Sequence, residues 1–209
     1  MFRLIESATL LLVLLNPFAL SVYLIELIHK LDPGTLLRVV LRAGLISGAV
    51  FAVFALTGVG FFERVLQVRF ASFQIFGGLL FLVIALRFVV SGGRAMHALR
   101  GENPEHLAGA VAMPFMIGPG TVGASVIIGR RSGAMSLLAI ALALLATVLF
   151  LLASKWTYDR LRDRNARLVA RYVDIVGRVT ALVIGTIAVQ MILNGWSAWH
   201  ASSQIGVRQ

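Results

Sequence analysis

The sequence predicts an all-α membrane protein: six transmembrane helices in two inverted three-helix repeats, with spans one and four broken. Three observations predict it. Of 209 residues, 59% are hydrophobic and 13% charged, and the mean hydropathy is +0.91. A soluble domain is nearer half apolar and about a quarter charged. The apolar residues gather into runs of the roughly 20 residues that a helix needs to cross the hydrocarbon. Asn16-Pro17 and Gly118-Pro119-Gly120 then interrupt two of those runs at matching places in the two halves.

Span one is predicted over Ser7–Ile28, span two over Ala43–Phe62 and span three over Phe70–Val90. Spans four, five and six follow over Leu107–Gly129, Ser132–Ser154 and Ile175–Trp196. Arg3 followed by an apolar run could open a signal peptide, but Glu6, Asn16-Pro17 and the lack of an A-x-A-like site read as a first span. The whole chain, residues 1–209, is expected to form one membrane domain, with repeat one over about 1–100 and repeat two over about 101–209.

Orientation follows from the basic residues. The loops after spans one, three and five hold thirteen Lys and Arg, from Lys30 to Arg178, and the opposite side holds six: Arg3, Arg64, Arg69, Arg130, Arg131 and Arg208. The positive-inside rule places the thirteen in the cytoplasm, so both termini are expected outside it, in a multi-pass protein of the inner (plasma) membrane. The net charge of +10 is thus expected to meet anionic lipid on the cytoplasmic face, and no nucleic-acid partner is predicted. Trp156–Tyr172 is expected as an amphipathic surface helix or a solvated basic loop.

The halves resemble each other. Five of twelve positions in 75–86 are identical to those one hundred residues on, including Ile75 with Ile175 and Gly77 with Gly177. Three spans per half is an odd number, so the second half must enter the membrane the other way up.

The two breaks carry the functional reading. Pro removes a backbone donor and frees a carbonyl one turn earlier. Lipid satisfies neither, so such a break persists only inside protein or beside a water-filled cavity. Paired breaks in two repeats point to a transporter's binding site. Candidate substrate-binding residues are therefore Asn16, Pro17, Gly118, Pro119, Gly120, Thr121 and Ser125. The stretch around Pro119 is expected to be unwound, with a half-helix starting near Thr121. That half-helix would offer N–H groups and a positive dipole end to a carboxylate. Thr121 and Ser125 share one helix face. Gly44 and Gly48 are expected to serve close packing, and Gln74, Gln190 and Asn194 interhelical hydrogen bonds.

Enzyme signals are absent. His29, His97, His106 and His200 form no H-E-x-x-H pair, the chain has no cysteine, and no phosphate-binding loop is present. No catalytic residue, cofactor or metal is predicted. The partners expected are a small-molecule substrate and the bilayer, with a homo-oligomer left open.

Four motifs bring a family into view: Asn16-Pro17, the run Phe73–Leu86, Met113–Gly120 and Ala188–Gly195. Together they span the chain, which resembles the MarC-type integral membrane proteins, grouped with the lysine-exporter-like transporters. The resemblance implies six spans in two inverted halves and, from some relatives, carriage of small neutral amino acids. The family pattern around the first break is usually Asn-Pro-x-Gly with a second Pro soon after. Here Ala19 replaces that Gly and Val22 stands near the Pro position, which predicts a milder first break. The leading expectation is a secondary transporter of small polar metabolites, with small neutral amino acids as the first candidates. The alternative is a non-transporting scaffold or regulatory protein of the same family, and a channel is a third reading.

Overall fold

Lipid offers no partner to backbone N–H and C=O groups, so an apolar chain of this length is stable there as helices. The computed structural model describes residues 2–24, 28, 31–65, 67–91, 108–109 and 111–206, and is helical through most of them. Helix α1 (Phe2–Leu15) is followed after one residue by α2 (Pro17–Tyr23). Then come α3 (Pro33–Thr57), α4 (Phe70–Ser91), α5 (Pro119–Ser132) and α6 (Ser136–Gly206). Single π turns at Phe61–Val65 and Ala112–Met116 precede α4 and α5.

Among the described residues, five stretches are long and apolar enough to cross a membrane: Arg3–Ser21, Pro33–Thr57, Phe70–Arg87, Ser136–Arg160 and Ala181–His200. The fourth expected span, Leu107–Gly129, is not one of them. The chain is non-helical at Met113 and extended at Gly118, and α5 has 14 residues, about 21 Å of helix. The second span also starts earlier than expected, at Pro33 rather than Ala43. Asp32 caps it, accepting from Thr35 N at 2.8 Å, and Pro33 occupies the first turn, where its missing N–H costs nothing. Hydrogen bonds from the Thr35 hydroxyl and then from its N–H hold the Asp32 carboxyl below the usual carboxylate range. Arg38 and Arg42 are exposed on this first part of α3.

The polarity of the bundle is that of a membrane protein. Leu45, Leu56 and Val90 are 74%, 71% and 80% exposed on its outside, which water would penalise and lipid does not. Small residues fill the inside, among them Ala43, Ala55, Ala124, Ala139 and Ala188. Gly48 lets α3 approach α6, since a Cβ there would lie 3.1 Å from Leu144 Cδ1, whereas one on Gly44, 3.5 Å from Val148 Cγ2, would make ordinary contact. The expected packing role is met at Gly48. At Gly129 the approach is closer still, since any Cβ would collide with the Ala55 carbonyl of α3.

Helix α6 has helical backbone through all 71 residues, including Trp156–Tyr172. Straight, it would be about 107 Å long, and Lys155 and Met191 would lie about 54 Å apart. Yet Lys155 Nζ donates to Ile28 O at 2.9 Å, while Met191 shares a cavity with Asn16. Backbone bonds Leu24 N–Leu20 O and Ile28 N–Leu24 O, both 2.8 Å, keep Asn16 and Ile28 within about 18 Å. The axis of α6 therefore bends back, and the helix contributes two arms. The first, Ser136–Arg160, packs on α3; the second, Ala181–His200, packs on α4.

Candidate binding site at the two helix breaks

The first break is a single residue. Asn16 has φ +44, a left-handed conformation that Asn tolerates better than most residues. Around it the helical ladder nearly closes: Asn16 N donates to Leu12 O at 3.1 Å and Leu20 N to Asn16 O at 3.0 Å. Its side chain turns back on the helix it opens, with Oδ1 accepting from Ala19 N at 3.2 Å. Asn16 is thus the N-cap of α2, with Pro17 in the first helical position.

The second break is deeper. The chain leaves the helix at Met113 (φ −115, ψ 129) and runs extended at Gly118 (φ −128, ψ 166) before α5 resumes at Pro119. The unwound stretch therefore lies before Pro119, and the half-helix starts two residues earlier than expected because Pro pre-sets its φ. Thr121 fastens this corner. Its hydroxyl accepts from Gly118 N at 2.9 Å and donates its one proton to either Met116 O at 2.8 Å or Gly118 O at 2.9 Å. Gly77 on α4 admits the Pro119 ring, where a Cβ would collide.

The two breaks meet at one cavity of about 180 Å³. Its polar lining comes from Asn16, Gly118, Gly120 and Thr121. The rest is apolar: Leu15 and Leu20 beside the first break, Phe81 from α4, and Ile184, Ile187 and Met191 from the second arm of α6. Val13 and Leu14 form a side open to the outside of the bundle. The volume falls below the roughly 300 Å³ where drug-sized sites begin, so an occupant must be small. The N–H groups of Gly120 and Thr121 lie in the first turn of α5, where a helix has no partner of its own to offer. A Cβ on Gly120 would meet nothing within 4 Å.

Of the residues expected to bind substrate, the structure brings Asn16, Gly118, Gly120 and Thr121 to this cavity. Pro17, Pro119 and Ser125 are outside its lining. The two prolines set the helix starts, and Ser125 is fully buried with its hydroxyl donating to Val122 O at 2.7 Å. Gln190 and Asn194 pair within one helix, Nε2 to Oδ1 at 2.8 Å, rather than across helices, since a spacing of four puts both on one face. His29, His97 and His106 lie outside the described residues. The apolar wall from α6 escaped sequence reasoning. Its only signal is the spacing of Ile184, Ile187 and Met191, which many lipid-facing stretches share.

No curated protein and no solved structure shows significant similarity to the chain. The family model described as MarC family integral membrane protein matches residues 1–200, and the chain therefore belongs to the MarC family of integral membrane proteins.

Proposed function

We propose that this protein is a secondary transporter of small polar metabolites, with small neutral amino acids as its substrates. The observation that carries the proposal is the shared cavity. Two helix breaks from opposite halves of the chain open on one small space, beside a helix N-terminus with donors to spare. In this reading six spans in two inverted halves frame the site, the broken helix around α5 being the fourth. The substrate carboxylate takes the N–H groups of Gly120 and Thr121, where the α5 dipole favours negative charge. The Asn16 amide reaches it from the other break. The apolar wall of Phe81, Ile184, Ile187 and Met191 admits a small aliphatic side chain and excludes a charged one. The excess of Lys and Arg after spans one, three and five supports a plasma-membrane orientation with both termini outside the cytoplasm.

The test is uptake of radiolabelled glycine and alanine by proteoliposomes. The parent should accumulate them above empty vesicles. Gly120→Val should abolish uptake while preserving the fold, because a side chain there meets open space and fills the cavity. Uptake equal to the parent's in Gly120→Val removes the cavity from the mechanism. A parent that moves no amino acid hands the case to the non-transporting scaffold reading.

A further inference from the structure

A second pocket, of about 610 Å³, lies at the far end of α1 and is lined by Arg3, Glu6, Ser7, Leu10, Arg130 and Arg131. Ser7 Oγ and Ser132 Oγ, 2.9 Å apart, tie the start of α1 to the end of α5 beside it. Three guanidinium groups face one carboxylate, a formal excess of two positive charges, and among the described residues none of the three arginines forms an ion pair with Glu6. Positive charge so placed, at the end of a membrane-spanning helix, is set for a phosphate, which a guanidinium can grip through two parallel hydrogen bonds.

Beyond the pocket, α1 and α5 lie side by side with apolar side chains exposed, which leaves a shallow groove between them. Arg3, Glu6, Leu10, Val13 and Leu14 follow a spacing of three or four and so share one face of α1. Leu10, Val13 and Leu14 on that face are 36%, 67% and 42% exposed. Helices α1 and α5 run antiparallel, with Ser7 beside Ser132 at one end and Asn16 near Gly120 at the other. Ile127, 44% exposed, therefore falls near the depth of Leu10. From Arg3 to Leu14 the groove is about 16 Å long, close to the roughly 15 Å of one hydrocarbon leaflet.

We infer that this face binds one anionic phospholipid, its phosphate held by Arg3, Arg130 and Arg131 and one acyl chain laid along Leu10, Val13 and Leu14. Charge complementarity at the head and one-leaflet length along the tail select this occupant over a free anion or a second protein. The head-group contacts lie apart from the transport cavity, which the acyl chain borders at Val13 and Leu14, and they sit at the opposite end of the bundle from Lys155.

Native mass spectrometry of the full chain in mild detergent tests it, with phosphatidylglycerol and phosphatidylcholine of identical acyl chains as probes. The parent should retain one phosphatidylglycerol in preference to phosphatidylcholine. The double variant Arg130→Gln/Arg131→Gln should lose roughly thirtyfold in phosphatidylglycerol affinity, from two basic contacts. Arg38→Gln, at the other end of the molecule, should change nothing. Leu10→Trp, which blocks the groove and leaves the arginines in place, should weaken binding as well. Equal retention of the two lipids, or an equal loss from Arg38→Gln, overturns the proposal. So does competition by inorganic phosphate as effective as that by short-chain phosphatidylglycerol, which would make the pocket a free-anion site.

Discussion

Gly78 on α4 and Gly195 on the second arm of α6 meet each other's helices through equivalent atoms. A Cβ on Gly78 would lie 2.7 Å from Ile192 Cγ1 and 2.8 Å from Ala188 O; one on Gly195 would lie 2.7 Å from Ile75 Cγ1 and 2.9 Å from Ala71 O. Exchanging Gly78 for Gly195, Ala71 for Ala188 and Ile75 for Ile192 leaves the contact unchanged. A local twofold therefore relates these segments at a constant separation of 117 residues. The sequence match in the same helices is at one hundred, so at this contact the identities of the repeat and its geometry differ.

Because the two glycines see the same surroundings, Gly78→Leu and Gly195→Leu should destabilise to a similar degree. Overpacking of this kind costs about 1–3 kcal/mol. Thermal denaturation of the purified protein in detergent measures both, and a large difference between them would contradict the symmetric contact.

Asn16 caps α2 and, in the proposed function, also contacts the substrate, and substitution can separate the two. Asn16→Ala loses the cap on Ala19 N, about 1 kcal/mol, and must also adopt a positive φ. Asn16→Gly accepts the backbone geometry and costs only a few tenths of a kcal/mol as a cap. Stability should therefore rank parent, Gly, Ala. Amino-acid binding should fall about fivefold in Asn16→Gly for one lost polar contact of roughly 1 kcal/mol. Melting curves with calorimetric titration give the two readouts.

Thr121→Val should leave the buried Gly118 N–H without an acceptor, a loss of about 1–3 kcal/mol. Thr121→Ser keeps the hydroxyl and should recover most of it. Hydrogen exchange at Gly118 checks the mechanism directly, since its amide should exchange faster in the Val variant alone.

Lys155 is 6% exposed and joins Ile28 O to the Asp159 carboxylate, 3.0 Å away. Lys155→Met should cost about 1.5–3 kcal/mol through the lost charged hydrogen bond. Asp159→Asn should cost about 0–1 kcal/mol, as its side chain is 46% exposed and such pairs are weak. Denaturation midpoints of the two variants give the comparison, and a larger loss from Asp159→Asn would reverse the assignment.

What the sequence discloses here depends on the kind of residue that carries the feature. Pro17 and Pro119 mark both breaks because proline acts on its own backbone, whatever surrounds it. The same local reach made Asn16 and Gly118 legible. The start of α3 was obscured by Arg38 and Arg42, whose charge depresses hydropathy although their helix continues to Pro33. Ser125 looked available from its spacing to Thr121, but a buried serine can satisfy itself on a carbonyl of the preceding turn, as it does on Val122 O. The cavity wall from α6 was illegible for a different reason. Ile184, Ile187 and Met191 are set facing Asn16 by the bend in α6, and no local pattern encodes that bend.

The contacts that fix α1 and α2 carry a consequence for the order of assembly. Ser7 is bonded to Ser132, 125 positions on, and Ile28 to Lys155, 127 positions on. At roughly 5–20 residues per second, the ribosome delivers these partners some 6–25 seconds after the helix they secure. During that interval α1 and α2 reside in the bilayer without the later helices they pack against.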